Sequence, residues 1–132
     1  MYLGFDPGRD KCGVAIVDDQ GQAHYHTVIS TAAVVEQTKI LAAQWLVAQL
    51  VMGDRTTSKE WQIRLQTALP QLAIVLVNEH NSTLAARDLY WEIYPARGFQ
   101  KIIPPGMRLP PRPIDDLVAI LLVRRYLKLT PR

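Results

Sequence analysis

Residues 1–18 read MYLGFDPGRDKCGVAIVD, and this stretch sets the frame for the rest of the chain. Tyr2, Leu3, Gly4 and Phe5 form an extended run, Asp6-Pro7-Gly8 a turn, and Gly13, Val14, Ala15, Ile16 and Val17 a second extended run. A single acid therefore sits where the first strand ends. Pro7 fixes its own φ and removes a backbone donor, while Gly8 admits conformations closed to other residues, so the acid is carried on stiff backbone. Asp-Pro-Gly is good turn chemistry anywhere. On this stretch alone Asp6 reads first as a turn residue and only second as a functional acid.

The chain has 132 residues and a mass of 14.9 kDa, sized for one domain over 1–132. Its 48% hydrophobic and 20% charged content is ordinary for a globular protein. A net charge of +3 and a pI near 9.2 permit a polyanionic partner without demanding one. The lone Cys12 excludes an internal disulfide and a thiolate zinc site, and it starts an apolar strand, where packing outranks nucleophilic chemistry. No basic segment followed by an apolar core opens the chain, and the longest apolar run, 117–123, is too short for a bilayer. The expectation is a cytoplasmic protein, neither exported nor membrane-embedded.

After the hairpin, Asp18-Asp19-Gln20-Gly21 turns the chain into a third extended run, 23–29, completing an antiparallel meander. His24 and His26 alternate with Tyr25 and Thr27, which predicts both histidines on one wet face. A helix over 31–49 follows, capped by Thr31, with Val34, Leu41, Trp45 and Ala48 on one face and Thr38 in the remaining slot. A short strand at 50–52, ended by Gly53-Asp54, leads through the polar residues 55–58 to a helix over 59–68, stopped by Pro70. The unbroken apolar run 73–77 reads as a strand covered on both faces. Asn78-Glu79-His80-Asn81 follows it directly, and Ser82 caps a third helix carrying Ala85, Leu89 and Ile93 on one face. Residues 98–113 hold five prolines together with Lys101, Arg108 and Arg112, a stiff, basic, extended connection. In the last element, 114–129, periodicity alone allows strand or helix. Pro113 ahead of it, Asp115 and Asp116 at its start, and Arg124, Arg125 and Lys128 at its end complement a helix dipole. The order β-β-β-α-β-α-β-α, then a closing helix, predicts an α/β fold with a mixed five-stranded sheet, antiparallel at one side and parallel through the middle.

The acids fall at element ends. Asp6 ends the first strand, Asp54 the fourth and Glu79 the fifth, so parallel strands deliver them to one sheet edge, where sites form in such folds. Asp115 and Asp116 begin a helix whose N-terminus can dock there. Converging carboxylates repel unless protons or cations lie between them, and oxygen-only clusters suit Mg²⁺ or Mn²⁺. Two such ions about 4 Å apart serve phosphodiester hydrolysis. Taken singly, each acid is equally a turn residue or a dipole-matched cap.

Three segments carry a family resemblance: Leu3-Gly4-Phe5-Asp6-Pro7-Gly8 through Gly13-Val14-Ala15, then Val77-Asn78-Glu79, then Asp115-Asp116-Leu117-Val118-Ala119 running on to Tyr126-Leu127. With them the chain resembles the YqgF/RuvX family of RuvC-like Holliday-junction resolvases, within the RNase H-like nucleases. The resemblance implies that Asp6 and Glu79 are catalytic metal ligands and that one acid of the last helix completes the set. Spacing to Tyr126-Leu127 favours Asp115, while the apolar stretch fits Asp116 nearly as well. Two departures stand out. The family shows an acid-Glu-Arg type triplet where this chain has Asn78-Glu79-His80, and RuvC resolvases place their glutamate after the fourth strand, where Asp54 lies here. Asp54 therefore remains an alternative metal ligand.

The leading expectation is a Mg²⁺- or Mn²⁺-dependent nuclease acting on structured nucleic acid, either precursor 16S ribosomal RNA ends or branched DNA. Arg9, Lys11, Arg55 and Lys59 are its candidate phosphate contacts, with plain surface solvation the bland alternative for each. His80 beside Glu79 is a candidate to assist proton transfer. A two-fold symmetric junction would favour a homodimer. The departures at Asn78 and His80 motivate a second expectation, a non-catalytic nucleic-acid-binding module. A third, an actin-like phosphotransferase, needs two such domains, and neither a Walker loop nor a dinucleotide fingerprint is present.

Overall fold

The computed structural model describes residues 1–55, 57–80, 82–104 and 109–128. Arg108, most of the proline cluster's centre, Thr56, Asn81 and Leu129 lie outside the described residues. Strands β1 (Tyr2–Asp6), β2 (Lys11–Val17) and β3 (Ala23–Ser30) form the meander, and β4 (Gln49–Gly53) and β5 (Ala73–Val77) run parallel to β1. Among the described residues the sheet is five-stranded, in the order β3-β2-β1-β4-β5. Helices α1 (Val34–Gln44), α2 (Ser58–Ala68), α3 (Ser82–Ile93) and α4 (Asp115–Tyr126) cover it. No helix among the described residues is long and apolar enough to cross a membrane.

The period of two along each strand sorts the core into two layers. Leu3, Phe5, Val14, Ile16, Leu50 and Met52 point to one face, where Val34 and Leu41 of α1 and Trp61 and Leu65 of α2 close over them. Phe5 meets Trp61 edge to face, ring centroids 5.4 Å apart. Ala15, Val17 and Val51 point to the other face, under α3 and α4. Gly4, between Leu3 and Phe5, belongs to that second face. A Cβ there would collide with the Ala119 carbonyl of α4, and one on Gly13 would collide with the Asp115 carbonyl. The missing side chains let the α4 backbone lie directly on β1 and β2. Residues 116–123 of α4 are all buried, which explains an apolar girth unusual for a short surface helix.

Four expectations need correction. The helix predicted to reach residue 49 stops at Gln44. Leu46 adopts φ 50°, Val47 N–H reaches back to the Ala42 carbonyl and Trp45 N–H to that of Leu41, a left-handed helix ending with leucine where glycine is usual. Thr31 does not cap it: Thr31–Ala33 is a 3-10 turn, and Ala33 precedes α1. The run 73–77 is not covered on both faces: none of its residues is fully buried, and Ala73 and Leu76 are exposed on this edge strand. His24 and His26 do not share a face. The register slips between Ile16 and Val17, which pair with Tyr25 and Ala23, so His24 is the extra residue of a bulge. It turns toward Trp45 on the α1 side, whereas His26 faces α4.

The close approach of α4 makes a sharp prediction. Gly4→Ala forces the helix off the sheet and lowers the unfolding free energy by about 2 kcal/mol or more in urea titrations. Ala15→Gly, on the same face without the backbone collision, costs about 1 kcal/mol.

Candidate functional site

Asp6 closes β1 on the α4 face and is 1% exposed. The turn behind it is clasped: Gly8 N–H donates to Cys12 Sγ at 3.4 Å, and a Cβ on Gly8 would collide with the Lys11 carbonyl. Cys12 is buried, and burial pushes its thiol up, as suits a packing residue. Glu79 comes from the loop after β5. Its carboxylate lies over Gly53, the last residue of β4, whose absent side chain supplies the space. Asp54 contacts the backbone of Glu79. It is exposed, and its Oδ1 accepts from the Glu79 backbone N–H at 3.3 Å, so it holds the Glu79 loop. Arg125 ties the same loop from α4, donating to the carbonyls of Asn78 and His80.

The two acids on α4 part company. Asp115 acts electrostatically on Asp6 together with Glu79. Asp116, 2% exposed, accepts instead from Arg112 Nη1 at 3.0 Å and sits 2.6 Å from His26 Nδ1. Burial alone would push the Asp116 carboxyl up; His26 and Arg112 outweigh it and hold it below the usual aspartate range. Arg55 lies neither free nor at a distance. Its Nε stands 3.0 Å from Glu79 Oε2, in ion-pair contact but off the line of a hydrogen bond, and its Nη2 is 3.9 Å from Asp6 Oδ1. Arg9, Lys11 and Lys59 are exposed. His80 is exposed too, its backbone N–H held by Asn78 Oδ1 at 2.6 Å.

Both oxygens of Asp6 and both of Glu79 are buried with no hydrogen-bond partner among the described residues. Two carboxylates offer each other no donor, so only a proton or a cation joins them. Burial foremost, then a proton shared with Glu79 and the charges of Glu79 and Asp115, push the Asp6 carboxyl up to about 9 against the opposing pull of Arg55. Among the described residues no three His, Cys, Asp or Glu side chains are gathered tightly enough to hold one ion. The site is therefore a close pair of hard oxygen donors with Asp115 behind it. Sequence reasoning missed Gly53 and Arg125. A glycine ending a strand beside a candidate ligand loop was the available signal for the first; nothing local marks the second.

The fold is RNase H-like, and it is a RuvC-like version of it. The particular likeness is to RuvC of Thermus thermophilus, with a TM-score of 0.55 and 11% identity over 96% of this chain and 94% of that one. At that identity the likeness speaks for the fold alone. A structure from Cytophaga hutchinsonii assigned as a sugar kinase aligns with a TM-score of 0.43 and 20% identity over 66% of this chain, which spans only 38% of its length. No family model and no curated protein matches this chain.

The raised Asp6 carboxyl sets a pH dependence. An ordinary aspartate titrates near 3.8, so between there and about 9 the folded chain holds a proton that the unfolded chain has lost. The stabilisation is full below that window and fades as pH rises through it. In EDTA, Asp6→Asn, which copies the protonated acid, should match the parent at pH 4 and exceed its stability at pH 9 by at least about 1 kcal/mol, read from denaturant midpoints. Equal pH profiles for the two proteins would contradict an elevated Asp6.

Proposed function

We propose that this chain is a metal-dependent endonuclease that hydrolyses phosphodiesters in structured nucleic acid. The observation carrying this reading is the set of four buried carboxylate oxygens on Asp6 and Glu79 that have no hydrogen-bond donor among the described residues, at the C-terminal ends of parallel strands in a RuvC-like fold. Hard oxygens without donors are what Mg²⁺ or Mn²⁺ requires; Asp6 and Glu79 would hold the ion, and the charge of Asp115 would add to its attraction. When bound, such ions activate water and steady the leaving oxygen. The chain's own part is positional. Asp6 rides on clasped strand backbone, Glu79 occupies the space left by Gly53, and Arg55 supplies the counter-charge that a cation would replace. Displaced from the acids, Arg55 is placed to meet a phosphate, with Arg9 and Lys59 exposed as further phosphate contacts.

The finer reading, membership of the YqgF/RuvX family with precursor 16S ribosomal RNA or branched DNA as substrate, rests on the three sequence motifs and the fold. A reducing cytoplasm fits the buried lone thiol, and a homodimer fits a two-fold symmetric junction. One observation favours a second reading, a non-catalytic nucleic-acid-binding module: the Arg55 guanidinium already sits against Glu79 and Asp6.

Titration with Mn²⁺ separates the two. Parent protein should cut a four-way DNA junction or a precursor ribosomal RNA fragment, and Asp6→Asn should lose at least about a hundredfold in rate, since even the outer partners of a metal ligand are worth up to about that much. Mn²⁺ should also raise the parent's thermal midpoint and leave that of Asp6→Asn unmoved. If the parent binds both substrates, cuts neither and shows no Mn²⁺ shift, the binding module is the correct reading.

A further inference from the structure

The first turn of α4 has the acid pair on one side and a separate groove on the other. The groove is a cavity of about 420 Å³ between edge strand β3 and the approach to α4, with Lys11, His26, Thr27, Tyr94, Arg112 and Asp116 among its lining residues. Within it a buried anion, Asp116, braces two basic side chains. Arg112 reaches both of its oxygens, at 3.0 and 3.4 Å, and donates to the Pro113 carbonyl at 2.6 Å. The Arg112 guanidinium also stands 5.6 Å from the ring centroids of Tyr90 and Tyr94. His26 Nδ1 is held by Asp116, which fixes how the ring presents its other nitrogen. Two permanent cations, Lys11 and Arg112, thus line the groove with one anion, and Tyr94, a residue 43% exposed, adds an aromatic side chain.

We infer that this groove seats a single strand of nucleic acid, with Lys11 and Arg112 on its phosphates and Tyr94 under a base. The inference rests on the reading that the partner is a nucleic acid; the groove itself is independent of the acid pair. A cavity this size accommodates a nucleotide. A braced arginine and an exposed lysine beside an exposed aromatic are the combination that single strands use, charge for the backbone and a π-face for the bases. A bare anion would need the cations only. Placement agrees: Asp6 pairs with Gly13, and Gly13 pairs with Val28 of β3. Two strand spacings, roughly 10 Å, therefore separate the acid pair from the groove wall. That is about three nucleotides at the 3.4 Å rise of one B-form strand. A strand lying in the groove continues toward Asp6 around the first turn of α4.

The test uses fluorescence anisotropy with a labelled single-stranded oligonucleotide of about 10 nucleotides, in EDTA so that neither metal nor cleavage enters. Tyr94→Ala should weaken binding at least about fivefold, the lower end of what one stacked base contributes. Lys11→Gln should reduce the slope of log affinity against log salt by about 0.7, one phosphate contact on a single strand. Amide shifts in ¹⁵N spectra of the parent on adding the oligonucleotide should centre on residues 26–30 and Arg112. The inference is overturned if both variants bind as the parent does, or if the shifts lie elsewhere. Shifts at 26–30 that follow protein concentration instead of oligonucleotide would also overturn it, marking β3 as a self-association edge. Mn²⁺-dependent cleavage, measured separately, keeps the two readings apart. Binding through the groove without cleavage defeats the nuclease and leaves the seat; cleavage indifferent to Tyr94 and Lys11 defeats the seat and leaves the nuclease.

Discussion

Backbone-to-backbone contact between α4 and the sheet is the constraint on which the rest depends. Side chains normally keep a helix and a sheet well apart, and here two glycines remove them at the contact points, Gly4 under Ala119 and Gly13 under Asp115. The gain is density: eight successive buried residues of α4 fill the layer over β1, β2 and β4. The same contact fixes the rotation of α4 about its axis. With the Asp115 carbonyl seated on Gly13, opposite Asp6, the Asp115 side of the helix meets the acid pair and Asp116 meets β3. Two adjacent aspartates thereby enter different chemistries, one among acids and one between an arginine and a histidine.

That environment explains why the acid pair is held under tension. Asp6 and Glu79 are withdrawn from water by packing that has nothing to do with them individually: the clasped turn, the bare Gly53, the closed face of α4. Buried carboxylates without hydrogen-bond donors cost several kcal/mol, and a protein retains them where something else compensates. Within the chain the compensation is a raised Asp6 carboxyl and a half-exposed arginine, both of which can be given up.

Much of the architecture could be read from residue order. The hairpin, the meander and the alternation of strand and helix follow from apolar periodicity and turn chemistry, and the arrival of Asp6 and Glu79 at one edge follows from parallel strands. What escaped reading has a common cause: it depends on contacts distant in sequence. Nothing local to Asp115-Asp116 says which faces Asp6, because a glycine about a hundred positions earlier decides it. The histidine alternation failed on one inserted residue in β3, and the first helix failed on Leu46, whose left-handed backbone carries no glycine to announce it. Strand β5 looked interior because an apolar run does not reveal its place in the strand order. Arg55 read as a candidate phosphate contact, and only the folded loop brings it over the acids themselves.

Helix α4 touches the acid site at both ends of its length. Its first residue acts on Asp6, and Arg125, near its last, grips the loop that carries Glu79. The helix is thus a strut between two members of the cluster, while the third stands on the sheet beneath. Any slide of this strut along the glycine track would change both distances in concert, so the geometry of the acids is a single mechanical coordinate shared with the packing of the core.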